Sequence, residues 1–203
     1  MRELRKHPKA EAFIFDLDGT LADSMPVFYI AWRNLLADYG VSLTKELFDE
    51  MAGRPMRQCT IMINERFQID MDQEAVAHKV ETELLTHLHL IHPIKPVCDL
   101  VREYVGKIPM AIGTGSQREN ALKVLNLIGL GDCFDVVVAA EDVIEHKPSP
   151  ETFLKCAEQL GMNPELCQVF EDAQKGIEAA VNAGMIATDV TEFYEVKIGA
   201  ELY

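Results

Sequence analysis

The chain has 203 residues, 48% of them hydrophobic and 26% charged, with a formal net charge of −14. That is enough apolar sequence to bury a real core, and no run of about 18 apolar residues is present to span a membrane. The acidity excludes a nucleic-acid partner, which needs a basic footprint. An anionic ligand must instead meet cations gathered at its own site, because surface charge is screened beyond about 8–10 Å at physiological salt.

In chain order, the basic stretch 1–10 (Arg2, Arg5, Lys6, Lys9) leads into no apolar segment of signal-peptide length. The cysteines Cys59, Cys98, Cys133, Cys156 and Cys167 are scattered, odd in number and free of any C-x-x-C pair. A cytoplasmic, unexported protein with reduced thiols is therefore expected. Ala12-Phe13-Ile14-Phe15 is a short continuous apolar run and predicts a strand buried on both faces. Similar runs recur at 109–112, 136–139, 167–170 and, more weakly, 185–188. Between them, 97–105, 119–128, 150–160 and 175–183 carry apolar residues at helical spacing. Gly129, Gly161 and Gly184 stand where helices should stop, and Ser149-Pro150 and Asn163-Pro164 where helices should start. Strand alternating with helix predicts an α/β fold, a doubly wound, Rossmann-like parallel sheet.

The stretch 24–91 breaks that pattern. It has no strand-like run and reads as helices over 26–39, 44–51, 56–67 and 72–90. An all-helical cap domain, 24–91, is thus expected to interrupt a catalytic core made of 1–23 and 92–203. Asp23-Ser24 is placed as the cap of the first lid helix and the hinge. Phe28, Tyr29 and Trp32 are expected in the cap core. His87, His89 and His92 lack the spacing of a compact metal pair.

Ligands of open parallel sheets bind at the carboxyl ends of strands, so the residues following each strand are decisive. They are Asp16-Leu17-Asp18-Gly19-Thr20, Gly113-Thr114-Gly115-Ser116, Glu145-His146-Lys147-Pro148 and Glu171-Asp172-Ala173. Brought to one sheet edge, they supply the four carboxylates of Asp16, Asp18, Glu171 and Asp172, hydroxyls, backbone amides and one lysine. Carboxylate oxygens are hard ligands suited to Mg²⁺, which favours phosphate as a co-ligand. Singly, each cluster has an ordinary explanation, an acidic turn or a helix cap; four in this order at four strand ends do not.

With these motifs the sequence resembles the haloacid dehalogenase superfamily of aspartate-nucleophile phosphotransferases. Asp16-Leu-Asp-Gly-Thr-Leu21 matches the first motif, and the Thr114 loop, Lys147-Pro148 and Glu171-Asp172 match the other three. The inserted helices resemble the branch holding β-phosphoglucomutase and small sugar-phosphate phosphatases, nearest to the fructose-1-phosphate phosphatases. The resemblance implies that Asp16 is the nucleophile and a Mg²⁺ ligand. Asp18 is then the general acid and base, its backbone carbonyl also meeting the metal. Thr114 and the Gly115 amide hold phosphoryl oxygens, Lys147 neutralises charge, and Asp172 completes the metal site with Glu171. Gly53-Arg54-Pro55-Met56-Arg57 resembles a cap loop that enters the active site, so Arg54 and Arg57 are candidate substrate contacts. The implied activity is hydrolysis of a small sugar phosphate, fructose-1-phosphate-like or 6-phosphogluconate-like, by a monomer.

Two rivals stand beside it. A β-phosphoglucomutase carries histidine where this chain has Phe28, and a basic residue where it has Gln117, with Arg118 as the available substitute. A non-catalytic phosphosugar-binding protein of the same fold would be expected to have lost a carboxylate or the lysine, and none is missing.

Overall fold

The computed structural model describes residues 3–51, 54 and 56–194; the expectations placed on Arg2, Gly53, Pro55 and 195–203 lie outside them. Its strands in chain order are β1 Ala12–Phe15, β2 Ala22–Asp23, β3 His92–Pro93, β4 Met110–Gly113, β5 Val136–Val138, β6 Cys167–Glu171 and β7 Ile186–Asp189. Its helices are α1 Met25–Ala37, α2 Lys45–Met51, α3 Met56–Phe67, α4 Gln73–Thr86, α5 Lys95–Tyr104, α6 Arg118–Leu127, α7 Glu151–Leu160 and α8 Gln174–Asn182.

Five strands form one parallel sheet in the order β5-β4-β1-β6-β7. β1, β4 and β6 are buried at every residue, whereas the edge strands β5 and β7 are largely half-buried. This is why the central runs read as continuously apolar. Alternate side chains leave opposite faces of a strand. Phe13 and Phe15 join one core with α5 and α6; Ala12 and Ile14 join a second with α7 and α8. Phe15 stacks on Phe170 of β6 with ring centroids 4.6 Å apart, and Phe13 meets the same ring edge-on at 5.0 Å. The chain winds from β1 outward through β4 and β5, then returns to place β6 on the other side of β1. That reversal opens a crevice at the carboxyl ends of β1 and β6.

The helices α1 to α4 enclose a separate core of Tyr29, Trp32, Leu36, Phe48, Ile63 and Val80, with Phe28 packed at its margin. The aromatics of α1 thus fill the helical segment, as expected. The two connections to this segment run together as a short antiparallel pair, Ala22 opposite Pro93 and Asp23 opposite His92. Two-residue strands carry no periodicity, and the sequence did not announce them. The stretch expected as one helix over 72–90 stops at Thr86 and resumes as a 3-10 turn, Leu88–Leu90. His87 at the junction leaves helical geometry (φ −112°, ψ 18°) while its ring nitrogen Nδ1 lies 3.0 Å from the Glu83 carbonyl. All five cysteines are free, and four are buried.

Phe153 is fully buried on α7 against β4 and β1. Replacing it with alanine is expected to lower unfolding free energy by about 3–5 kcal/mol, from lost transfer energy and the cavity left behind. Urea denaturation followed by far-UV circular dichroism would measure it.

Candidate active site

Four strand ends deliver the site. Asp16 follows β1, and its amide donates to the Phe170 carbonyl at 3.0 Å. Glu171 is the last residue of β6, with Asp172 next. Thr114 follows β4, and its amide donates to the Val138 carbonyl at 3.0 Å. Lys147 reaches in from the loop after β5.

Lys147 is the hub. Its Nζ lies 2.7 Å from Asp16 Oδ1 and 2.7 Å from Glu171 Oε1, with all three side chains at most 9% exposed. Below it, the Phe153 ring offers its face at 4.6 Å, a favourable setting for an ammonium. The loop carrying Lys147 is itself tied down. The Glu151 carboxylate accepts from the Ile144 amide at 3.1 Å and the Glu145 amide at 2.7 Å, and pairs with Lys155 at 3.0 Å. The Glu145 amide, Lys155 and the Ile144 amide together pull the Glu151 carboxyl down to about 2.

Asp16, Glu171 and Asp172 each present an oxygen, all within 4.8 Å of one another. Lys147 is the one ammonium among the described residues bonded to this group, through Asp16 and Glu171, so full ionisation of the three carboxylates leaves two net negative charges. At about 4 Å and an effective dielectric near 20, each like-charged pair costs about 4 kcal/mol. Burial, with Glu171 and Asp172 as neighbours and Lys147 opposing, holds the Asp16 carboxyl well above its usual range. Burial and then Glu171 push Asp172 up to about 7. Burial alone would lower the Lys147 pKa; Asp16 and Glu171 more than reverse that and keep it charged. An all-oxygen donor set with surplus negative charge fits a hard divalent cation such as Mg²⁺. Among the described residues this group of potential ligands contains no histidine.

Two glycines make the approach possible. Gly19 has φ +90°, and a Cβ there would sit 2.3 Å from Asp172 Oδ2. A Cβ on Gly176, in the first turn of α8, would sit 1.7 Å from Glu171 Oε1. Thr20 Oγ1 donates to Asp172 Oδ1 at 2.9 Å, and the Ala173 amide donates to Glu171 Oε2 at 2.7 Å.

Asp18 stands apart from the three. Ser24 Oγ donates to its Oδ1 at 2.6 Å and Ser116 Oγ to its Oδ2 at 2.6 Å. Burial raises its pKa, and the two hydroxyls only partly offset that. Ser24 is therefore not a helix cap: its side chain makes no cap bond to α1, because the hydroxyl is committed to Asp18. Ser116 likewise does not cap α6, whose first turn begins after Gln117. Neither serine carries a local signal for this role, since the bonds cross 6 and 98 residues of chain. Thr114 is buried, its Oγ1 accepting from the Ser116 amide at 3.0 Å, and Gly115 beside it is exposed.

The cap arginines lie elsewhere. Arg54 is exposed and its Nε donates to the Glu50 carbonyl at 3.0 Å. Arg57 is exposed on α3, and neither is brought onto the carboxylates by a bond among the described residues. Lys175, at the head of α8, has its pKa lowered by partial burial and then by the Arg54 charge. Lys175 went unremarked in the sequence because it belongs to no motif.

The sequence model for haloacid dehalogenase-like hydrolases matches residues 13–190. The chain is 43% identical over 178 residues to fructose-1-phosphate phosphatase YqaB of Escherichia coli, covering 87% of this chain and 94% of that protein. It is 27% identical to the β-phosphoglucomutase of Bacillus subtilis, covering 95% and 88%. The crystal structure of β-phosphoglucomutase from Clostridium difficile superposes with a TM-score of 0.79 at 28% identity, over 89% of this chain and 84% of that one.

The raised Asp172 pKa sets a pH dependence. Between the unfolded carboxyl value and about 7 the metal-free folded protein holds a proton that the unfolded chain has lost, so stability rises as pH falls through that window. A cation must displace that proton. Thermal unfolding is thus expected to show a Mg²⁺-induced gain in midpoint that is large near pH 8 and shrinks below pH 7, while the metal-free midpoint moves the opposite way.

Proposed function

Because the chain belongs to the haloacid dehalogenase-like hydrolase family, we propose that it is a Mg²⁺-dependent phosphatase. Its substrate is a small sugar phosphate, fructose-1-phosphate-like or 6-phosphogluconate-like, and the reaction runs through an aspartyl-phosphate on Asp16. The observation that carries this reading is the triangle of Asp16, Glu171 and half-buried Asp172, served among the described residues by the Lys147 ammonium alone. Those three residues would hold the Mg²⁺, which supplies positive charge against the carboxylates and the phosphate. The rest follows from the chain's own groups.

Lys147 occupies one oxygen of Asp16, which leaves the other to attack phosphorus. As that bond forms, the bond from phosphorus to the sugar oxygen breaks, and Asp18 gives the leaving oxygen its proton. The raised Asp18 pKa suits it to carry one. Asp18, now a carboxylate, then takes a proton from water as the water oxygen bonds to phosphorus, and the Asp16 carboxylate is released. Splitting the hydrolysis into two displacements lowers each barrier. Lys147, Thr114 and the Gly115 amide supply fixed positive charge and donors for the transferring group. The helical segment 24–91 acts as a cap over this crevice, with Arg54 or Arg57 contributing to sugar recognition.

Two observations weigh against the mutase. Phe28, at the position where the mutase carries histidine, packs against the core of the helical segment. The Arg118 guanidinium, the substitute for a basic residue at Gln117, is paired with Asp142. The greater identity to a phosphatase than to a mutase agrees.

The test is phosphate release, with and without Mg²⁺, from fructose-1-phosphate, 6-phosphogluconate, β-glucose-1-phosphate, glucose-6-phosphate and a nucleotide. Metal-dependent release from one or two sugar phosphates is expected, with Asp16→Asn slower by about 10⁶-fold, the scale of losing a nucleophile. Conversion of β-glucose-1-phosphate to glucose-6-phosphate with little free phosphate would overturn the phosphatase in favour of the mutase.

A further inference from the structure

We infer that Tyr194 is a positioning residue for the cation site, its phenol holding the Gly19 carbonyl so that the nucleophile loop stays seated against Asp172. This rests on the Mg²⁺ reading above. The phenol donates to the Gly19 carbonyl across 175 residues of chain. The approach is built into the fold. After β7, Asp189 Oδ1 accepts from the Thr191 amide at 2.9 Å and the Thr191 hydroxyl at 2.6 Å, starting the 3-10 turn Val190–Glu192. Val190 is fully buried, and the Tyr194 ring packs on the core that holds Phe13 and Phe170. The ring is thereby fixed and the hydroxyl aimed.

Gly19 is the residue most worth holding. Its amide donates to the Ala22 carbonyl at 2.8 Å, and its α-carbon lies where any side chain would strike the Asp172 carboxylate. The Tyr194 hydroxyl grips the one remaining polar group of that residue. A loop free to lift here would carry Thr20 off Asp172 and disturb Asp18, while Asp16 stays held to Phe170.

The chemistry of the donor fits its surroundings. Asp16, Asp23, Asp172 and Asp189 all act on the phenol, and burial first, then these charges, hold its pKa above the ordinary value. It stays a neutral donor. A lysine or arginine reaching the same carbonyl would bring a positive charge beside the carboxylates and compete with the cation.

The experiment is Tyr194→Phe, which keeps the ring and removes the hydroxyl, compared with Tyr194→Leu, which removes both. Mg²⁺ binding is read by calorimetry and by the Mg²⁺-induced rise in thermal midpoint, beside phosphate release against Mg²⁺ concentration. The phenylalanine variant is expected to fold with a metal-free midpoint lowered by only about 2–4 °C and to bind Mg²⁺ about fivefold more weakly, the factor of one lost hydrogen bond. Its turnover should recover at saturating Mg²⁺. Unchanged Mg²⁺ binding in Tyr194→Phe, or weakening confined to Tyr194→Leu, would assign Tyr194 to packing alone and overturn the inference. Wild-type protein that gains neither heat of binding nor stability from Mg²⁺ would overturn the metal reading itself, and this inference with it.

Discussion

Everything around the site is organised by one imbalance: among the described residues, two buried carboxylates and a half-buried third gather around one ammonium, which bonds only two of them. A fold has no reason to assemble Asp16, Glu171 and Asp172 within 4.8 Å for stability, because desolvation and mutual repulsion both oppose it. The cost shows in the raised carboxyl pKa values of Asp16 and Asp172. Lys147 removes part of it, and the remainder is negative charge that a divalent cation can neutralise. Structural strain concentrated on acidic groups in a crevice is the mark of a site whose other components arrive from solution.

The parallel sheet makes that arrangement attainable. Its hydrophobic interior, with Phe13, Phe15 and Phe170 on one face and Ile14, Phe153 and Val169 on the other, fixes the strands that present the carboxylates. Their ends lie where the chain leaves the sheet and its backbone is free to turn. Gly19 and Gly176 then allow the loop after β1 and the first turn of α8 to close on Asp172 and Glu171 more tightly than any side chain would permit. Asp18, two residues from Asp16, points instead to Ser24 and Ser116. One short loop thus holds the two carboxylates in different settings, and the Asp18 bonds tie the residue before α1 to the loop after β4.

Much of this was legible in the sequence because its signals are local. Ala12 to Phe15 reads as a buried strand since both its faces are covered, and the left-handed glycines Gly129, Gly161 and Gly184 mark helix ends by their own conformational freedom. The carboxylates and Lys147 were identifiable because each follows a recognisable strand. What escaped depends on distant partners. Ser24 and Ser116 looked like helix caps, which their type and position allow, until their hydroxyls were found on Asp18. The β2–β3 pair has too few residues for any periodicity, and the break at His87 interrupts a pattern that is otherwise helical through Leu90. Lys175 and Tyr194 lie in no motif, and only the folded chain brings one to Arg54 and the other to Gly19.

The central claim is that the carboxylate triangle exists so that Asp16 can carry a phosphoryl group. The most direct measurement is to quench the protein with acid during turnover of a sugar phosphate and find the phosphorylated peptide by mass spectrometry. The account predicts a hydroxylamine-sensitive phosphoryl group on the peptide containing Asp16, absent from Asp16→Asn. Turnover without any phosphoenzyme under rapid quench, or a phosphoryl group on another residue, would contradict it.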